Sequence, residues 1–224
     1  MEYGFKIRAE YAHVKLITKA LDILKSISKG EFTRCVSLLE ENKKTYLESK
    51  LEYPEFIDLR LNNLKSNLLT IEKNYFNNKH LNILQLGQFG YILTDTKQRF
   101  IDTSIIMRNK KLLKIDIKIT QSELDVINLA CKLYWNILCG NLNFLAEVDL
   151  HKIDKESLSN DLLMICHLAT GFENIEARLS IENKALNRKA KWAYDICKSI
   201  DNIENDDIIK NIGTLPKLKI LKNG

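Results

Sequence analysis

Metal or acid–base chemistry would most readily start from the histidines, and their positions, His13, His80, His151 and His167, do not converge on a motif. None stands three or four residues from another, the spacing that sets two imidazoles on one helix face, and no Cys-x-x-Cys accompanies them. Neither a metal site nor a cofactor is expected. Gly87-Gln88-Phe89-Gly90 follows a strand-like run, but the further Gly, the Lys and the Ser or Thr of a phosphate-cradling loop are missing. A turn or bulge leading into another strand is the expected structure there. No Gly-x-Ser-x-Gly elbow presents a nucleophilic serine. Carboxylates at Glu40-Glu41, Asp125 and Asp206-Asp207 fall on polar helix faces or near helix ends, where solvation or the helix dipole accounts for them. The chain is therefore expected not to be an enzyme; only a triad whose members meet in space would escape this reading.

Binding chemistry is better represented. Tyr134-Trp135, and Trp192 with Tyr194, set large rings on neighbouring helix faces, so one ring of each pair should lie partly outside the core, where aromatics mark interfaces. Trp135 and Trp192 are the candidate contacts to a partner or to a second copy of the chain, as in a homodimer; burial between packed helices is the competing reading. Cations concentrate in Arg108-Asn109-Lys110-Lys111, in Arg188-Lys189-Ala190-Lys191 and in the tail 217–222. On one face such clusters bind phosphates, which makes Arg108, Lys110, Lys111, Arg188 and Lys191 candidates for nucleic-acid contact. The net charge of +5 is modest, and most lysines alternate with Asp and Glu as on a solvated surface. Cys35, Cys131, Cys139, Cys166 and Cys197 are odd in number and sit mostly among apolar residues, as reduced buried thiols do.

The elements that must position these side chains are mostly helices. A composition 45% hydrophobic and 28% charged excludes a disordered chain, and eight Gly and two Pro leave few breakers. Apolar residues at Val14, Ile17, Leu21, Leu24 and Ile27 trace one helix face that Gly30 ends. Helices are also expected over 31–50, from residue 55 to about 74, over 155–169 and over 183–200, with a short turn at 206–212. Thr120-Gln121-Ser122-Glu123 is a capping box and opens a helix that Gly140 closes. Between them, 81–86, 90–93, 100–107 and 112–119 are short Ile- and Leu-rich runs that predict a small sheet. Ile115, Ile117 and Ile119 alternate with Asp116 and Lys118 there, the period of a strand with one wet face. The expected fold is α+β and predominantly α-helical: an N-terminal helical part over 1–79, a small antiparallel sheet over 80–120 and a C-terminal helical part over 121–224, in one domain or two pseudo-repeats. The start lacks a secretion signal and no run of eighteen apolar residues occurs, so a cytoplasmic protein with no membrane contact is expected.

A shift of 110 positions sets Ile17 over Ile127, Ala20 over Ala130, Ile27 over Ile137 and Gly30 over Gly140, with Phe5-Lys6-Ile7 over Ile115-Asp116-Ile117. Each copy reads as strand, amphipathic helix, glycine stop, the pattern of an internal duplication; two unrelated helices ended by glycine would read the same way.

Two segments carry a family resemblance. Ala130-Cys-Lys-Leu-Tyr134-Trp-Asn-Ile-Leu-Cys-Gly140-Asn, and Ser180-Ile-Glu-Asn183 with Ala190-Lys-Trp-Ala-Tyr194-Asp195-Ile, resemble a family of small helical proteins of bacteriophages and mobile elements. The resemblance covers about 115–200 and departs at Asn136, where the family tends to carry arginine, and at Asn141, where it carries glutamine. It implies a phage-type accessory protein and no reaction. The leading expectation is stoichiometric inhibition of a host defence complex, a protein or ribonucleoprotein, in the anti-CRISPR manner and in the host cytoplasm. The alternatives are a nucleic-acid-binding accessory protein and a sponge for a signalling nucleotide held by Gly87 to Gly90 and the aromatics.

Overall fold

The computed structural model describes residues 4–40, 57–76, 81–82, 84–148, 153–170, 188–203 and 211–222. His80, His151, Glu41 and the rest of the second helix over 41–50, residues 183–187 and the turn at 206–210 lie outside the described residues, as do the side chains of Cys166 and His167.

Alternation builds the sheet. In β1 (Phe5–Glu10) Ile7 and Ala9 are buried and Arg8 is exposed; in β2 (Lys114–Ile119) Ile117 and Ile119 are buried and Asp116 and Lys118 exposed. β1 lies between β2 and β3 (Lys219–Lys222), antiparallel to both, with Ile7 opposite Ile117 and Ile220. On the wet face Arg8 donates to both carboxylate oxygens of Asp116, at 2.8 and 3.0 Å, and Lys6 lies 2.8 Å from the same group. These cations hold the Asp116 carboxyl well below the usual range.

Each of the first two strands runs straight into a long helix, β1 into α1 (Tyr11–Ser28) and β2 into α5 (Gln121–Leu138). Between them come α2 (Arg34–Glu40), α3 (Ile57–Phe76) and α4 (Gly87–Asn109); after them a 3-10 helix (Leu142–Glu147), α6 (Lys155–Thr170) and α7 (Arg188–Asp201). α1 and α5 pack on one another, α1 also on α4 and α5 on α7, while α3 packs on α6. One core runs from Ile7 to Ile220 through both halves, so the expected three parts share their interior. No helix among the described residues is long and apolar enough to cross a membrane.

The 110-residue shift is realised in three dimensions. All ten buried positions of α1 recur as buried positions of α5. Exchanging every strand residue for its counterpart leaves the β1–β2 register unchanged: Phe5 opposite Ile119 becomes Ile115 opposite Ala9. Both helix ends close identically. Gly30 and Gly140, at φ 85° and 80°, donate to the carbonyls of Ile27 and Ile137, and Glu31 and Asn141 donate to those of Ser26 and Asn136. Glycine takes this left-handed closing conformation without a Cβ penalty. Asn136 and Asn141, the two departures from the resembled family, bond one another at 2.6 Å.

The middle of the chain corrects the expected sheet over 80–120. Of its four runs only the last supplies a strand; residues 87–109 form α4 instead. The stripe that α4 buries is Leu93, Thr96, Phe100, Thr103 and Met107, a helical spacing of three and four that two threonines conceal. Thr96 is buried without loss because its hydroxyl donates to the carbonyl of Ile92 at 2.7 Å. Gly87, at φ 56°, does sit at a turn, but it opens this helix rather than a strand.

α4 ends on the expected basic cluster. Leu112 donates to the carbonyl of Met107 at 2.9 Å, which puts Lys111 in the left-handed region at φ 52° where Gly30 and Gly140 stand elsewhere. That conformation costs a residue with a Cβ about 1–2 kcal/mol. Lys111→Gly is accordingly expected to gain about 0.5–1 kcal/mol once the extra backbone entropy of glycine is subtracted. A urea midpoint that does not rise would contradict the strain.

Candidate anion-binding cleft

The site is assembled by a strap. Asp195 on α7 is buried, and its carboxylate accepts hydrogen bonds from the backbone N–H groups of Ile212, at 2.9 Å, and Gly213, at 2.7 Å. Burial pushes its pKa up, against these two donors, which favour the charge. A Cβ on Gly213 would lie 2.6 Å from Cδ1 of Trp192 and 2.8 Å from the Asp195 carboxylate, so only glycine lets the chain run this close. The Trp192 indole N–H points at the Thr214 hydroxyl, 3.4 Å away. Nε2 of His13, on α1, donates to the carbonyl of Pro216 at 2.8 Å, while its Nδ1 accepts from the backbone N–H of Glu10 at 3.1 Å. The expected basic tail continues as β3, its Ile220 buried.

Both His13 nitrogens are satisfied only in the neutral ring. Burial lowers its pKa from 6.5, outweighing the opposing effects of the Pro216 carbonyl and the Glu10 carboxylate. A base whose folded pKa is depressed contributes stability that is complete above its unfolded value, about 6.5, and is lost as pH falls through the folded value. Acidification from pH 7 to pH 5 should therefore lower the melting temperature of the native chain more than that of His13→Gln. Parallel profiles would show that His13 does not carry the effect.

With α7 strapped against the start of α1, a cleft of about 220 Å³ forms between Ala12, Lys15, Leu16 and Lys19 on one side and Lys189 and Trp192 on the other. Positions 12, 15, 16 and 19 share one face of α1 because helix neighbours recur at three and four residues. Arg188, one turn before Trp192, sets its guanidinium 5.4 Å from the indole centroid, and the Lys15 ammonium lies 5.6 Å from the ring of Tyr11. Three lysines and a large ring thus line one concavity, with Arg188 against the ring, which can attract phosphate and stack a flat base.

Of the residues singled out in the sequence, Trp192 lines the cleft and Arg188 lies against its ring. Lys191 is on the same helix but does not line the cleft. Arg108, Lys110 and Lys111 are exposed at the end of α4 and do not line it either; there they complement the negative end of the helix dipole. Trp135 is half-buried and packs edge-to-face on Tyr194 of α7, centroids 5.4 Å apart, away from the cleft. Lys15 and Lys19 escaped the sequence reading: four residues apart, they look like any solvated helix face until α7 arrives opposite.

The buried carboxylates escaped it too. Glu72 accepts from the backbone N–H of Thr33 at 2.6 Å. Glu123 accepts from Thr120 N–H at 2.8 Å, completing the expected capping box, and pairs with Arg99 of α4, whose guanidinium also donates to the carbonyl of Lys118 at 2.9 Å. Cys35, Cys131, Cys139 and Cys197 are buried, and burial pushes the thiol of Cys139 up to about 12 and that of Cys197 upward as well. Protonated thiols of this kind are poor nucleophiles.

A second cleft, about 770 Å³, opens between α4 and the start of α5, where Gly87, Tyr91 and Asp95 face Ser122 and Glu123. Under the 110-residue shift it meets the first cleft at one lining position, Ser122 for Ala12. No protein-family model, no curated protein and no solved structure matches the chain.

Proposed function

We propose that this chain is a non-enzymatic binding protein that takes a polyanion, the backbone of a single-stranded nucleic acid, into the cleft between α1 and α7. One observation carries the reading: Lys15 and Lys19 on α1 and Lys189 on α7 line one cavity with Trp192, against whose ring Arg188 lies, although the two groups are far apart in sequence. A basic groove with a stacking platform binds single strands with little sequence preference, through phosphate charge and base–aromatic contact. In the phage-type setting that the family resemblance implies, occupying nucleic acid in this way is one route to inhibiting a host defence ribonucleoprotein stoichiometrically. The buried titratable groups support a binding role over a reaction, because His13, Glu72, Glu123 and Asp195 are each engaged by backbone N–H or carbonyl groups. The nucleotide-sponge alternative is less well supported, since the cavity at Gly87 presents Asp95 and Glu123, which repel phosphate.

Fluorescence polarisation of a labelled single-stranded oligonucleotide across a salt series tests the proposal. Three to four neutralised phosphates give a slope of about −2 to −3 in log affinity against log salt. No binding at low salt removes the proposal, and capture of a protein partner in its place would assign the inhibition to a protein surface.

A further inference from the structure

The cleft between α4 and α5 has the opposite chemistry, and we infer that it is a pocket for a small organic cation with a planar, N–H-rich head, of the guanidinium or amidine class. Its volume of about 770 Å³ lies within the range of small-molecule sites, about 300–1,000 Å³, whereas the basic cleft holds about 220 Å³. Glu123, which lines the cavity, stands where the 110-residue shift places His13, whose ring is closed off by the Pro216 carbonyl.

The lining has three parts suited to one ligand. Tyr91 on α4 is 57% exposed, an unusual degree for a large ring, and offers a flat face beside the open backbone at Gly87. Gln88 and Ser122 add neutral polar groups around it. Asp95 and Glu123 bring two carboxylates from different helices, and among the described residues no cation lines the cavity with them.

Arg99 neutralises only part of this charge. It lies 3.5 Å from Asp95 and 3.0 Å from Glu123 Oε1, so two carboxylates share one guanidinium. Asp95 keeps a side chain 74% exposed. Glu123 is 5% exposed, and its Oε1 is buried and accepts no directed hydrogen bond. Two carboxylates served by one shared guanidinium at the wall of a cavity favour a ligand that brings further N–H groups and positive charge. A planar cation satisfies both requirements and stacks on Tyr91 as it does so. An anion of equal size meets a net negative wall.

The inference does not depend on the polyanion proposal, and its test uses other ligands and other residues. Benzamidine and agmatine would be titrated into the full chain by calorimetry and by amide chemical-shift mapping, with benzoate and adenosine monophosphate as controls. Saturable binding of the cations with shifts confined to 87–95 and 120–123, weakened about tenfold or more by Asp95→Asn and by Tyr91→Ala, is the expected result. Ser122→Trp fills the mouth and leaves both carboxylates in place, so it should abolish binding without lowering the melting temperature. Cation binding unchanged in Asp95→Asn and Ser122→Trp, binding of benzoate as tight as that of benzamidine, or no shifts around Tyr91 at millimolar cation would each overturn the inference.

Discussion

Reversing Lys15 and Arg188 together, Lys15→Glu with Arg188→Glu, is expected to lower the affinity for single-stranded oligonucleotide by about 100-fold or more at low salt. Hydrogen bonds to charged groups contribute about 1.5–3 kcal/mol each, and two such losses multiply to at least that factor before repulsion is added. The salt slope should shrink by about 0.7 for each phosphate contact removed. Both side chains are exposed, so the circular dichroism spectrum and melting temperature should hold. The same reversal at Lys110 and Lys111 changes the net charge equally but leaves the cleft intact, and it is expected to cost far less. Trp192→Ala removes the stacking face, worth about 1–3 kcal/mol per base, and should weaken binding with little change in salt slope. Equal losses from the two charge pairs would mean that net charge alone, and no particular cleft, governs association.

The largest stability effect is expected at Gly30. Gly30→Ala meets two costs at once: a φ of 85°, and a Cβ only 2.8 Å from three carbons of the Phe76 ring. The left-handed conformation alone costs about 1–2 kcal/mol. Phe76 cannot swing away freely, since it packs edge-to-face on the fully buried Phe32 with centroids 5.6 Å apart. Displacing it should bring the total to about 2–4 kcal/mol, a large share of the roughly 5–15 kcal/mol that holds a domain folded. For a chain of this length the melting temperature should fall by about 5–15 °C. Gly87→Ala is the internal comparison, because its φ is also positive but a Cβ there would meet nothing within 4 Å. Its loss should stay near the conformational cost alone. If Gly30→Ala and Gly87→Ala lose the same amount, the contact with Phe76 contributes nothing.

Several elements were legible in the residues because the forces that make them act over a few positions. The Thr120–Glu123 capping box forms as the sequence proposes, with both reciprocal hydrogen bonds in place. The alternation of Ile117 and Ile119 with Asp116 and Lys118 predicts β2 and which of its faces is wet. α4 was not legible, although it is the longest helix described, because Thr96 and Thr103 occupy core positions and a polar residue type hides a buried one. Periodicity reports apolarity, and a threonine that bonds its own helix backbone needs none.

The strand partners and the clefts belong to a different class. β1 and β3 lie at opposite ends of the chain and pair only because the helices between them return it to the same edge; nothing within Lys219–Lys222 specifies Phe5–Arg8 as a neighbour. What the residues decided alone was where helices begin and stop and the echo of one β–α unit 110 positions later, since caps, glycines and pleats are satisfied by neighbours along the chain. The tertiary structure decided that one copy of that unit faces lysines and tryptophan while the other faces carboxylates and tyrosine. A cleft takes its charge from both walls, and each second wall, α7 for one and α4 for the other, is brought in by packing.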